Sequence, residues 1–224
     1  MCACEKWKTG CYDCEQIDTY PASWKVDSSR WNWSKKKNIF NGMDATIVVP
    51  SRWLKRQVEM SFLKNYPMKV VYNGLDLNVY KPASQNDIDE IMIKYRFNDK
   101  PIILGVASEW TERKGLADFI ELSKRHSALQ FVVVGLNSRQ VKSLPMSLNG
   151  IRRTDKIEEL VALYSAADLF FNPTYEEVFG MVNAEALACG TPVLTYDTGG
   201  SPEIMRGEND KGAVSIIKKE SSHS

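Results

Sequence analysis

The stretch EEVFGMVNAEALACGTP, residues 176–192, decides how the rest of this 224-residue sequence is read. It holds two glutamates, Glu177 and Glu185, with seven residues between them, and a Phe179-Gly180 pair just inside the first. Ahead of it the apolar run DLFFNPTY (168–175) has the character of a buried strand ending at a turn. TPVLTYD (191–197) behind it has the same character. The segment between is then a loop and a helix crossing between parallel strands. That helix is expected to start near residues 178–180 and to end at Cys189-Gly190, where glycine takes the left-handed position other residues avoid.

The N-terminus of such a helix points to the carboxyl ends of the strands, the edge where open α/β sheets bind ligands. The amides of Phe179, Gly180, Met181 and Val182 would collect there with the positive end of the helix dipole, which suits an anion such as phosphate. Gly180 lets a ligand approach the backbone. Eight helical steps between Glu177 and Glu185 would cover about 12 Å. A glycosidase carboxyl pair is separated by only roughly 5 to 9.5 Å. The two glutamates therefore fit opposite ends of one long ligand, such as a sugar joined through a diphosphate to a ribose. Taken alone, each also fits an ordinary first-turn glutamate or a solvated helix residue.

At these residues the sequence resembles the Glu-x7-Glu signature of retaining glycosyltransferases of family 4, which have the two-domain GT-B fold and use nucleotide-activated sugars. Within that family it is similar to the colanic acid type of bacterial polysaccharide glycosyltransferase, over nearly the whole chain. The resemblance implies a hexosyltransferase that moves a sugar, with retention, from a nucleotide-diphosphate sugar to a polysaccharide or lipid-linked oligosaccharide, with no cofactor required. It also implies that Glu177 contacts the transferred sugar, Glu185 the ribose hydroxyls, and the amides at residues 179–182 the sugar and diphosphate. A nucleotide-sugar-binding module without transferase activity stands as the alternative, and a zinc-linked interaction module as a third.

Composition sets the bounds. With 43% hydrophobic and 25% charged residues the chain can bury one good core, or one core and part of another. A net charge of +1 gives no reason to expect nucleic acid as a partner. No apolar run approaches the ~20 residues of a membrane span, and the N-terminus lacks a signal peptide's apolar stretch. The expected compartment is a bacterial cytoplasm, with the inner face of its membrane as a candidate place of action. Cys2, Cys4, Cys11 and Cys14 combine a C-x-C with a C-x2-C, and four sulfurs would complete a tetrahedral zinc site. Reduced free thiols on a terminal segment are the competing expectation. Cys189, at a helix end, fits core packing.

Residues 1–43 are polar and aromatic with weak periodicity, and place Trp7, Trp24, Trp31 and Trp33 near Lys35, Lys36 and Lys37. That interleaving suits a membrane surface or an anionic lipid-linked acceptor, or tryptophans packing a loop-rich segment onto the domain behind it. DATIVVP (44–50) and MKVVYNG (68–74) read as strands, with Ser51 as N-cap of a helix between them. NGLDLNVYKP (73–82) has linker chemistry. In the resembling family such a segment leads from the first domain into the second, which puts the boundary near residue 80. The expected organisation is a partial N-terminal, acceptor-side domain over 1–80 and a nearly complete C-terminal, Rossmann-like, nucleotide-sugar-binding domain over 81–224. Relative to that family, the first domain's opening strands and the crossing C-terminal helix are absent. The expectation is a truncated GT-B protein that binds a donor but transfers slowly.

From Pro101 strands and helices alternate. Strands fall at PIILGVA, LQFVVVG, NGIRR, DLFFNP, TPVLTYD and GAVSI, which implies a mostly parallel doubly wound sheet. GxGxxG and Walker A sequences are absent, so a phosphate site must be built differently. Lys114 follows the first of these strands and precedes a helix, on the same edge as Glu177. A cation is disfavoured in a helix's first turn, so ligand binding explains it better than chance. The resemblance implies that Lys114 contacts the donor diphosphate, usually with an arginine five or six residues earlier. Those positions here are Glu109 and Ser108, leaving Arg113 as the nearby substitute. Arg152 and Thr154 follow the third strand, where a nucleobase commonly rests, and the TGGSPE loop (198–203) is either donor-adjacent or a plain strand-end turn. His126 and His223 suit no histidine base. Catalysis is expected to rest on fixed donors at the leaving oxygen, Lys114 and the helix amides.

Overall fold

The computed structural model describes residues 4–18, 23, 26–204 and 214–217. Cys2, Trp24 and His223 lie outside them. The chain divides into two compact units, Met1–Tyr72 and Asn73–Ser224. The segment expected to act as linker begins the second unit, and Tyr80 within it packs against that unit's core.

In the first unit, helix α1 (Ser29–Phe40) precedes strand β1 (Ile47–Val49), helix α2 (Arg52–Glu59) and strand β2 (Met68–Val70). The two strands pair in parallel, with α2 as their crossover. Ser51 caps α2 as expected: its Oγ accepts from the Leu54 amide at 3.1 Å, satisfying one of the orphan donors of a first turn. Helix α1 buries none of its residues. It is fastened through Trp33, whose ring meets Phe62 edge-on and whose Nε1 donates to the Trp7 carbonyl at 2.8 Å.

The second unit runs α3 (Gln85–Lys94), β3 (Ile102–Val106), α4 (Leu116–Arg125), β4 (Gln130–Val134), α5 (Ser138–Ser143), β5 (Leu148–Ile151) and α6 (Ile157–Ala166). It continues through β6 (Leu169–Asn172), α7 (Met181–Ala188), β7 (Val193–Tyr196) and β8 (Val214–Ile217). Six strands, all parallel, lie in the order β5-β4-β3-β6-β7-β8. The sequence forms this sheet because its central strands are apolar runs; every residue of β4, QFVVV, is buried, as a parallel strand covered on both faces must be.

Alternate residues feed two cores. Leu104, Val132 and Phe170 face one with Ile91, Tyr164 and Ala186. Ile103, Phe131, Val133 and Phe171 face the other with Trp110 and Phe119. Phe119 is fully buried, and its ring lies 5.6 Å from Trp110 and 5.2 Å from Phe171. Truncating it to alanine would cost about 3–5 kcal/mol.

Helix α3 has no counterpart in the elements expected from the sequence. Ser84 Oγ caps it by accepting from the Asp87 amide at 3.3 Å, and Ile91 is its buried anchor. Its end docks on α6 where Lys94 and the Tyr95 hydroxyl both meet the carboxylate of Glu159. From β3 the chain winds outward to β4 and β5, then returns to lay β6 on the other side of β3 and continue to β7 and β8. The winding reverses between β3 and β6, and a crevice at the carboxyl end of such a seam is where doubly wound sheets take ligands.

Candidate active site

Three loops leave the carboxyl ends of β3, β6 and β7 and are stitched through their backbones. After β3, a 3-10 turn at Glu112–Lys114 ends at Gly115. The Tyr175 amide donates to Arg113 O at 2.8 Å. The Thr174 hydroxyl reaches Arg113 O at 3.3 Å and Glu176 O at 3.0 Å. Gly115 has φ +75° and lies so close to the β6 loop that a Cβ there would be 2.3 Å from Pro173 O. The β7 loop closes the other side: the Gly200 amide donates to Glu177 O at 3.0 Å and the Thr198 hydroxyl to Thr174 O at 2.8 Å. A Cβ on Gly199, φ +57°, would be 1.7 Å from Glu177 O. Only glycine permits either approach.

This stitching brings Lys114 and Glu177 together, Nζ to Oε2 at 2.7 Å, with side chains 32% and 17% exposed. The other oxygen of Glu177 accepts from the Val178 amide at 3.0 Å. Beside them Arg113 Nη1 lies 3.1 Å from Glu176 Oε2, with the arginine half exposed. Glu177 stands ahead of α7 rather than on it. The eight-step helical estimate of the Glu177 to Glu185 separation therefore does not hold, because the chain between residues 177 and 180 is loop.

Helix α7 starts after Gly180, φ +89°, with no side-chain cap. The first-turn amides of Met181 and Val182 have no intrahelical acceptor, whereas the Asn183 amide turns back to Gly180 O at 2.9 Å. Phe179 is buried, so its side chain serves the core. The helix ends at Cys189-Gly190, φ +88° at the glycine, as the sequence indicates. Two polar atoms beneath this N-terminus, Asn183 Nδ2 and Ser201 Oγ, are buried without a hydrogen-bond partner. They lie 3.1 and 3.4 Å from where a Gly180 Cβ would be.

Glu185, on α7, is half-buried, and the fully buried Tyr164 of α6 donates to its Oε2 at 2.8 Å. Burial pushes this carboxyl above the ordinary glutamate range, against the hydroxyls of Tyr164 and Tyr80, which hold it down. A second carboxylate, Asp118 in the first turn of α4, accepts the hydroxyls of Tyr175 at 2.9 Å and Tyr196 at 2.6 Å. Those two rings stack with centroids 6.0 Å apart. Sequence reasoning missed Tyr80, Tyr164, Asp118, Tyr175 and Tyr196, since nothing local links a tyrosine to a partner dozens of residues away. Thr154 is half-buried and Arg152 exposed, both past the end of the edge strand β5, which is separated from β3 by β4.

Cys4, Cys11 and Cys14 are free thiols in the first unit. Burial and the neighbouring Cys4 and Cys14 sulfurs raise the Cys11 thiol. Among the described residues no group of three or more histidine, cysteine or acidic side chains has metal-holding geometry; the fourth cysteine of the expected set, Cys2, is not among them. Cys189 is buried, as expected of a packing residue, and burial pushes its thiol up to about 11. Among the described residues no helix is long and apolar enough to cross a membrane.

Solved structures share this architecture. The chain superposes on sucrose-phosphate synthase from Thermosynechococcus elongatus with a TM-score of 0.64 at 23% identity, over 92% of this chain and 51% of that one. It superposes on Anabaena HepE in complex with UDP and glucose with a TM-score of 0.65 at 22% identity, over 83% and 52%. The fold is thus that of a GT-B glycosyltransferase, with a Rossmann-like parallel sheet. The sequence pattern described as Glycosyl transferases group 1 matches residues 87–222, and the chain belongs to that family. Among curated relatives, the processive diacylglycerol alpha-glucosyltransferase of Acholeplasma laidlawii is 28% identical over 215 residues, 88% of this chain and 63% of the relative. The chain spans between about half and two thirds of the length of these proteins.

Proposed function

We propose that the chain takes a nucleotide-diphosphate sugar as donor and moves its hexosyl group, with retention, to a saccharide or lipid-linked saccharide of the polysaccharide-building kind. The observation that carries this is the Lys114 and Glu177 pair at the β3/β6 seam, beside the uncapped N-terminus of α7. The relatives named above support the donor class, since a HepE structure holds UDP and glucose.

In this reading Lys114 exchanges Glu177 for the donor diphosphate, with Arg113 as a second cation in place of the family's usual arginine. The amides of Met181 and Val182, with the backbone at Phe179 and Gly180, complete the anion site. Glu177, once released, accepts hydroxyls of the transferred sugar, and Glu185 those of the ribose. Thr154 belongs to the base end. When the bond from the anomeric carbon to the diphosphate oxygen breaks, negative charge grows on that oxygen. Donors already fixed around it stabilise the transition state without reorganising. The incoming hydroxyl passes its proton to the departing phosphate oxygen on the same face, so no side-chain base is needed. The decisive experiment is calorimetric titration with UDP, ADP, GDP and their glucose conjugates, followed by assay with lipid-linked saccharides. Saturable donor binding with turnover supports transfer. Binding without turnover favours the non-catalytic donor module, and no binding of any donor refutes the site.

The place of action in this proposal is the cytoplasm, at the membrane's inner face. Helix α1 supports it, with Trp31 61% exposed and stacked under Lys35, and Ile39 and Phe40 exposed beyond. Sedimentation with vesicles containing anionic lipid, against neutral ones, checks this. The cysteine group is proposed to hold at most one structural zinc and to be dispensable for the donor. Metal analysis, and nucleotide affinity after all four cysteines are changed to serine, decide both points.

A further inference from the structure

The Glu185 carboxylate stands on α7 and accepts the Tyr164 hydroxyl of α6 at 2.8 Å, with Tyr80 acting on it from a second element. Tyr164 is held rigidly on α6: its ring is fully buried, 5.5 Å from Phe170, and its backbone carbonyl accepts the Thr191 hydroxyl. Tyr80 comes from the segment ahead of α3, and its hydroxyl acts on the same carboxylate electrostatically, lowering its pKa. That segment is fixed in turn: the Ala83 amide donates to Ser165 Oγ at 2.9 Å, and Pro82 Cγ lies 3.5 Å from the Cβ position of Gly190. Cys189 is the remaining titratable neighbour and stays a neutral thiol at ordinary pH.

An ionised carboxylate has about four acceptor directions. The Tyr164 hydroxyl takes one of them at 2.8 Å and fixes the rotation, and the others are left for a ligand. We infer that Tyr164 and Tyr80 are positioning residues for the donor, turning the free acceptor directions of Glu185 to the vicinal diol of a nucleotide's ribose. This rests on the donor reading above and deepens it: the site selects a ribonucleoside diphosphate over its 2′-deoxy form, and the segment carrying Tyr80 takes part in that selection.

The same geometry sets a pH response. Ribose hydroxyls donate more strongly to the ionised Glu185 than to its protonated form, which keeps fewer and weaker acceptor sites, so affinity falls as pH drops through its raised value. Removing a tyrosine hydroxyl removes a group that lowers that value, and the acid limb moves to higher pH.

The test is calorimetry of UDP, ADP and GDP, each against its 2′-deoxy counterpart, across pH, with the intact chain and its Tyr164→Phe, Tyr80→Phe and Glu185→Gln variants. The expected result is at least a tenfold preference of the intact chain for the ribose form. Each phenylalanine variant should reduce that preference towards equality and shift the acid limb upward, and Glu185→Gln should abolish the limb. Equal losses for ribose and deoxyribose forms with an unmoved limb would reduce the tyrosines to packing and overturn the inference while leaving the donor reading intact. Failure of the folded, unmodified chain to bind any of these nucleotides overturns the donor reading and the inference with it. If Tyr164→Phe does not fold, Tyr80→Phe, at a half-buried position, decides between the two outcomes.

Discussion

Lys114 Nζ and Glu177 Oε2 meet at 2.7 Å across 63 residues of sequence. Without a ligand, each is the other's counterion. Any anion that recruits Lys114 must compete with Glu177 or bring hydroxyls to replace the lysine at the carboxylate.

Lys114→Ala is therefore expected to weaken UDP binding tenfold to a hundredfold, the roughly 1.5–3 kcal/mol of a hydrogen bond to a charged group. Glu177→Gln frees the lysine, so it should leave UDP affinity equal or higher while a sugar nucleotide loses affinity. Titration of both variants with UDP and UDP-glucose checks this, and parallel losses for both ligands in Glu177→Gln would refute the assignment.

Glycines 115 and 199 let the three loops touch at their carbonyls. Alanine at either would place a Cβ 2.3 Å from Pro173 O or 1.7 Å from Glu177 O, and the left-handed backbone adds about 1–2 kcal/mol of strain for a residue with a side chain. Both variants should keep the circular dichroism of the sheet yet lose more than tenfold in nucleotide affinity.

Asp118 holds two tyrosine hydroxyls, and Asp118→Ala leaves both without this acceptor. A loss of about 2–6 kcal/mol in denaturant unfolding is expected, from roughly 1–3 kcal/mol for each hydroxyl that loses this acceptor. Tyr175→Phe and Tyr196→Phe should each recover part of it when combined with Asp118→Ala.

Glu159 joins α3 to α6 and predicts an acid-dependent stability. Burial pushes its carboxyl up, but Lys94, Tyr95 and the Asp155 amide outweigh that and hold it below the ordinary value. A depressed folded pKa contributes stability above the unfolded value of about 4.3 and loses it as pH falls through the folded one. Glu159→Ala should cost about 1–3 kcal/mol at neutral pH, chiefly through the stranded Tyr95 hydroxyl. The gap from the unmodified chain should narrow below about pH 4, and a pH-independent gap in urea unfolding would contradict it.

What the sequence disclosed follows from how burial is written into it. Strands β3, β4 and β6 at the middle of the sheet are buried on both faces, so they appear as apolar runs, and the β6-loop-α7-β7 stretch was legible down to its closing glycine. Lys114 was legible because a cation before a helix needs a reason. Helix α1 was not, since its residues are mainly polar with weak periodicity and show no apolar stripe to find. Helix α3 did carry a signal, Ser84 ahead of Asp87 with Ile88, Ile91 and Met92 at helical spacing, but the linker chemistry just before it masked the start. The grips on Glu185 and Asp118 join residues from different elements, and no spacing within one element encodes them.

The seam between β3 and β6 joins only Ile103 to Leu169 and Leu104 to Phe170, whereas β3 and β4 align along five positions. Its two sides are separated in the chain by three helices and two strands, so the loop closed when they pair is long and its entropy cost falls late on the route to the native state. Lys114 and Glu177 can meet only after that closure. Nucleotide affinity should accordingly appear among the last properties regained on refolding, after secondary structure has returned.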